Sequence, residues 1–220
     1  ARVAASVMGG RRLSEFEFGD EPAVPGVAVK EAVFPFNKFD VDVILGPEMR
    51  STGEVMGFDE SFGMAFAKAQ ISAGAELPTS GTLVATVNDS DKPMATTIPR
   101  RFHDLGFKIL ATEGTRRYLR ARGVPAERVF KVGEGRPNTV DHITSGGVDL
   151  LIHTPPGKQA QYDDYAMRRA AVTYKVPYCT TLSAAAAACE AVLALRSRSR
   201  DVRCLQERFS QDAALSTIQA

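Results

Sequence analysis

The chain has 220 residues, 44% hydrophobic and 24% charged, a composition that excludes disordered, collagenous and membrane-spanning classes. Its 27 basic and 26 acidic residues leave a formal charge of +1, so no global field draws it to nucleic acid or a membrane surface, and any anion site must be local. Residues 1–13 (ARVAASVMGGRRL) read as the end of a helix, with Val3, Val7 and Met8 on one face and Gly9-Gly10 as its stop. A chain that opens inside a helix is expected to be part of something longer. No basic segment and apolar run open it, and no apolar stretch reaches the ~18–20 residues of a spanning helix. Cys179, Cys189 and Cys204 have no metal-ligand or redox spacing, which predicts reduced thiols, each a small buried apolar side chain, in a cytoplasmic protein.

The loop 14–28 is acidic and carries Pro22 and Pro25. VAVKEAVFPF (27–36) alternates as a strand until Pro35 interrupts it. Residues 37–59 hold turn formers, charges and glycines without sustained periodicity, and no element is expected there. Residues 60–74 (ESFGMAFAKAQISAG) have helical spacing at Phe62, Phe66, Ala69 and Gln70, and 76–81 (ELPTSG) read as a linker.

From Thr82 the pattern changes. Short apolar runs at 82–87, 106–110, 129–132, 149–153 and 176–180 alternate with helical segments at 92–105, 113–122, 138–145, 161–175 and 182–196. This predicts an α/β domain over 82–200, a doubly wound parallel sheet of five strands covered on both faces, followed by a polar tail at 201–220. Pro99 should kink or shorten the first of these helices.

Ligands of an open parallel sheet gather beyond the C-terminal strand ends. There the second run leads into Ala111-Thr112-Glu113-Gly114-Thr115 at a helix start, with two hydroxyls beside free backbone N–H groups and the positive end of a helix dipole. Either threonine could instead be a simple N-cap. Lys92 follows the first strand, Lys131 the third, and His153-Thr154 end the fourth. Two lysines and two threonines on one sheet edge suit a phosphate, which wants point charges and neutral donors. Asn138 is a credible helix cap and Arg136 a partner for Asp141. No nucleophile motif, paired histidines, metal-ligand spacing or complete phosphate loop is present, so no catalytic or metal-binding residue is expected in this segment.

KEAVFPFNKF (30–39), LGPEMRSTGEVMG (45–57), LGFKILATEGT, KVGEGRPNTVDHI and YKVPYCTTL (174–182) together resemble the carbamoyl-phosphate synthase large subunit near its C-terminus. The resemblance implies that residues 1–75 are the α+β end of the second ATP-grasp module and 82–200 a methylglyoxal-synthase-like allosteric domain. It implies a parent ligase that makes carbamoyl phosphate from bicarbonate, glutamine-derived ammonia and ATP, for pyrimidine and arginine biosynthesis. That parent would use ATP with magnesium or manganese and potassium, pair with a glutaminase small subunit and form oligomers. The segment itself would hold no cofactor and be inactive alone. By the same resemblance a UMP- or IMP-like effector places its phosphate at Lys92, Thr112, Thr115 and Lys131, and its base and ribose near His153, Thr154 and Asp164. An ornithine-like effector falls to Glu31, Tyr178 and Thr180. The sequence departs from the family at His153-Thr154-Pro155, where Asn-Thr-Thr is usual, at Asp164, where a serine is frequent, and at Cys179, where an acidic residue is usual. Two other readings compete: a free-standing phosphate lyase of the same small fold, and a docking domain that binds nothing. The lyase needs a general base near the phosphate, and Arg116, Arg117 and Tyr118 after Thr115 include no carboxylate.

Overall fold

The structure is a computed structural model that describes residues 2–17, 26–33, 53–154 and 161–204, with 161–164 described in backbone only. Two compact units emerge: Ala1–Pro25 with Asp201–Ala220, and Gly26–Arg200. In the first, helix α1 (Arg2–Met8) ends as expected at Gly9-Gly10. The Gly10 N–H reaches the Val7 carbonyl at 3.0 Å with φ at +99°, a left-handed cap natural to glycine. A single 3-10 turn follows at Leu13–Glu15. The apolar face expected on α1 buries nothing among the described residues, and Met8 is 89% exposed.

The second unit opens with β1 (Val27–Val33), paired antiparallel with β2 (Gly53–Asp59). The expectation for 27–36 holds through Val33, and Pro35 lies outside the described residues. The absence of an element at 37–59 does not hold, because β2 occupies its last seven residues. Helix α2 (Phe62–Ser72) covers this hairpin, capped where the Ser61 hydroxyl accepts from the Met64 N–H.

The five-stranded sheet is all parallel, in the order β5-β4-β3-β6-β7. Its strands are β3 (Thr82–Thr86), β4 (Lys108–Thr112), β5 (Glu127–Val129), β6 (Leu150–His153) and β7 (Tyr178–Cys179). Between them run α3 (Lys92–Ala95), α4 (Thr97–Asp104), α5 (Glu113–Arg120), α6 (Thr139–Thr144) and α7 (Gln161–Thr173), and α8 (Leu182–Ser197) closes the unit. Alternation along each strand divides the core in two. Leu83, Ile109, Leu150 and Ile152 join Phe102 of α4, Leu119 of α5 and Ala185, Ala188 and Val192 of α8. Val84, Leu110 and Leu151 join Ile143 of α6 and Met167 and Ala171 of α7. The helices therefore lie on both faces, as the doubly wound reading requires.

Several boundaries differ from those expected. The 92–105 helix is two helices parted at Thr96, and Pro99 sits in the first turn of α4, where a missing N–H costs no helical bond. The second and third strands lie two residues away from their apolar runs, at 108–112 and 127–129, and the fifth shrinks to Tyr178–Cys179. Cys179 and Cys189 are buried as expected, and burial pushes the Cys179 thiol up to about 12, which keeps it unreactive. Cys204, expected buried, is exposed, because it follows α8 in a stretch, 201–204, that forms no helix or strand.

Candidate functional site

The order β5-β4-β3-β6-β7 reverses direction between β3 and β6. The crevice of a doubly wound sheet opens at that reversal, beyond the C-terminal strand ends. Parallel register brings Thr86, Thr112 and His153 to that edge on neighbouring strands. All three are buried. The Thr112 hydroxyl lies 3.3 Å from the Thr86 hydroxyl and 3.4 Å from that of Thr115. Three buried hydroxyls thus converge at the start of α5.

Thr112 holds the N-cap position of α5 with extended backbone, yet its side chain makes no capping bond. Its oxygen turns to the other threonines instead, which disfavours the simple N-cap reading. The Thr115 hydroxyl also accepts from the Val87 N–H at 3.1 Å and lies 3.3 Å from the Val87 carbonyl. It therefore ties the end of β3 to α5. Thr154 does the same across the reversal, accepting from the Asn88 N–H at 3.0 Å, while its own N–H donates to the Thr86 carbonyl at 3.1 Å.

Lys92 completes the cluster. Its side chain is only 16% exposed, and a Cβ added to Gly114 would stand 3.1 Å from its Nζ. A cation therefore lies against the first turn of α5, whose dipole end is itself positive. The acidic residue of that turn does not neutralise it: Glu113 is bound by Arg116 at 3.0 Å and Arg117 at 2.7 Å, and these guanidiniums hold its carboxyl down at about 2. Lys92 instead pairs with Asp89 in the loop after β3.

Lys131 stands at the margin. It is 55% exposed and 3.9 Å from Glu134, but its charge also reaches Asp89. The structure thus brings Lys92, Thr112 and Thr115 together, with Lys131 on the rim and His153 and Thr154 on the next strand. Asp164 lies on α7 with its side chain outside the described residues, as is the whole of Pro155. Thr86, Asn88 and Asp89 are members of the cluster that sequence reasoning missed; the polar end of an apolar run at Thr86 was the available signal.

The second expected site is less assembled. Glu31 lies on β1 of the two-stranded sheet, while Tyr178 and Thr180 lie at the edge strand β7 of the other. Burial raises the Glu31 carboxyl above the usual carboxylate range, opposed by a hydrogen bond from Gln70. Among the described residues, no hydrogen bond or ion pair joins Glu31 to Tyr178 or Thr180. The neighbouring Asn138 and Asp141 form a reciprocal capping box at 3.1 and 2.9 Å, and Arg136 lies 3.6 Å from Asp141, so this loop serves structure.

A cluster of hydroxyls and a lysine at the reversal of a five-stranded parallel sheet defines a small doubly wound domain with an anion-suited edge. Residues 95–180 match the family model of the MGS-like domain, placing this unit in that class. Over most of its length the chain is 53% identical to the carbamoyl phosphate synthase large chain of Gemmatimonas aurantiaca, covering 93% of the chain and 19% of that relative. It is 47% identical to the large chain of a Nostoc species, over 94% of the chain and 19% of the relative. A protein of Methanopyrus kandleri described as the C-terminal section of the large chain is 51% identical, over 94% of the chain and 40% of the relative. The chain therefore belongs to the carbamoyl phosphate synthase large-chain family, and spans about a fifth of the full-length relatives it matches. Among the described residues, no helix is long and apolar enough to cross a membrane.

Proposed function

We propose that this chain is the regulatory C-terminal part of a glutamine-dependent carbamoyl phosphate synthase, and that it takes up a phosphorylated effector of the UMP or IMP type at the reversal of its sheet. The observation that carries the reading is the uncapped start of α5. The Thr112 hydroxyl turns from its capping role toward Thr86 and Thr115, and the recessed Lys92 lies against the same turn. A phosphate dianion there would accept from the first N–H groups of α5 and from the Thr112 hydroxyl, and would meet Lys92 as its counter-charge. Lys131 would approach from the rim. His153 and Thr154 flank the position the ribose and base would take, and Asp164 belongs to the same neighbourhood by resemblance alone.

In this reading the segment does no chemistry. The parent chain would use ATP with magnesium or manganese and potassium, and would receive ammonia from a glutaminase small subunit. The effector acts by population shift: it must bind two arrangements of the parent with different affinity, and only that difference is transmitted. Ornithine-type regulation through Glu31, Tyr178 and Thr180 is carried in this reading by the resemblance alone.

Calorimetric titration of the 220-residue chain with UMP and IMP tests the phosphate site. Binding is expected, with Lys92→Ala weakening it roughly tenfold or more, the scale of a lost charge-assisted hydrogen bond. Thr112→Val should cost about fivefold. A chain that takes up neither nucleotide, or a Lys92→Ala variant that binds as tightly as the parent, overturns the assignment.

A further inference from the structure

Lys92 and its partner sit in unequal surroundings: the lysine side chain is 16% exposed, and that of Asp89 is 93% exposed. A recessed ammonium beside the positive end of a helix is disfavoured by desolvation and by the dipole alike, so it needs a nearby anion. Asp89 supplies that anion from three residues upstream. The backbone that presents it is pinned. The side-chain carbonyl oxygen of Asn88 accepts from the Asp91 N–H at 2.9 Å and the Ser90 hydroxyl at 2.7 Å, and the Asn88 amide donates to Asp91 at 2.8 Å. Asp89 can therefore leave Lys92 by rotating its own side chain, without remodelling the loop.

On the reading of this edge as a phosphate site, we propose that Asp89 is a built-in competitor for the phosphate at Lys92, one that raises the concentration of effector needed to fill the site. Both anions need the same ammonium. The carboxylate is tethered, so its effective concentration at Lys92 is on the order of millimolar or above. A phosphate monoester brings about 1.5–2 negative charges at neutral pH, more than the carboxylate it displaces, and so gains on the exchange. Asp89 thus raises the threshold for every anion that needs Lys92.

The test titrates the 220-residue chain, its Asp89→Asn and Lys92→Ala variants and the double variant with UMP. Asp89→Asn keeps the side-chain shape and removes the charge. It should bind UMP about two- to fivefold tighter, the scale of an exposed ion pair. In the Lys92→Ala background, Asp89→Asn should bring no gain, since the contested cation is gone. If the wild type binds UMP but Asp89→Asn binds it equally or more weakly, or if the gain persists without Lys92, the competitor role is overturned and the phosphate site stands. If neither the wild type nor Asp89→Asn takes up UMP, the phosphate site itself is overturned, and this inference with it.

Discussion

Asp59 ends β2 at 3% exposure and holds donors from three residues: Lys68 at 2.9 Å, Ser61 through its N–H at 3.2 Å and its hydroxyl at 3.5 Å, and the Arg198 guanidinium beyond the end of α8. Burial alone would raise its carboxyl; Lys68, the Ser61 N–H and Arg198 outweigh burial and hold it down at about 2, against an ordinary 3.8. A depressed folded-state pKa contributes stability that is present above the unfolded value and lost as the carboxylate protonates. The loss should therefore run from pH 3.8 down through about 2. It amounts to about 2 kcal/mol at ~1.36 kcal/mol per unit. Asp59→Asn should cost ~3 kcal/mol at neutral pH, because it strands two cations in a part-buried place. Urea unfolding of both proteins at neutral pH and through the acid range measures this. The gap between them should close as the pH approaches the lower limit; a gap that stays constant with pH would show that the charge on Asp59 is not what holds the three groups together.

At the scale of elements, β2 and α2 meet more closely than side chains allow. A Cβ on Gly57 would stand 2.0 Å from the Ala65 carbonyl oxygen and 2.4 Å from the Ala69 nitrogen, both backbone atoms that cannot swing away. Gly57→Ala should force the strand and helix apart and cost about 2–3 kcal/mol, a fall in Tm of roughly 5–10 °C. Gly53→Ala is the control in the same strand: among the described residues its Cβ would meet only Val33, at an ordinary 3.5 Å, and its effect should stay within about 0.5 kcal/mol. If the two variants melted alike, close approach would not be the reason for glycine at 57. The same contact explains why β2 is illegible in the sequence. A strand that packs through glycine has no apolar residue where periodicity looks for one. β4 starts two residues into its apolar run for a related reason. Phe107 is buried but belongs to the turn that ends α4, with its N–H on the Phe102 carbonyl, so the apolar run begins before the strand does. The order of strands and helices from Thr82 onward is legible, because parallel strands buried on both faces are short and uniformly apolar. The Thr112–Thr115 turn is legible as a strand leading into a helix start. The pairing of Lys92 with Asp89 and the turning of Thr112 away from its cap are not, since both depend on side-chain direction.

At the scale of the whole molecule, the linker expected at 76–81 does not divide the core of the unit Gly26–Arg200. Met64 and Ala67 of α2, and Leu77 within the linker itself, are buried in one cluster with Leu83, Phe102, Ile109 and the α8 residues Ala185, Ala188 and Val192. Gly63 shows how near the two helices come: a Cβ there would lie 2.6 Å from the Glu190 carbonyl oxygen. The boundary expected along the chain is thus spanned by continuous packing in space. α8 begins right after the β7 end and α2 rests on α8, so this interface is one packed connection between the sheet edge and the hairpin. Any coupling between them would need an element with two arrangements. A segment cut to residues 82–200 should lose the packing of Met64, Ala67 and Leu77 and bare the covered face of α8. At ~2–5 kcal/mol for a large buried aliphatic side chain, the loss should exceed about 4 kcal/mol. Urea unfolding of residues 26–200 should give one cooperative transition, and residues 82–200 a clearly lower midpoint or an aggregating product. Equal midpoints would mean that the sheet and its own helices carry the stability alone, and that α2 is an appendage.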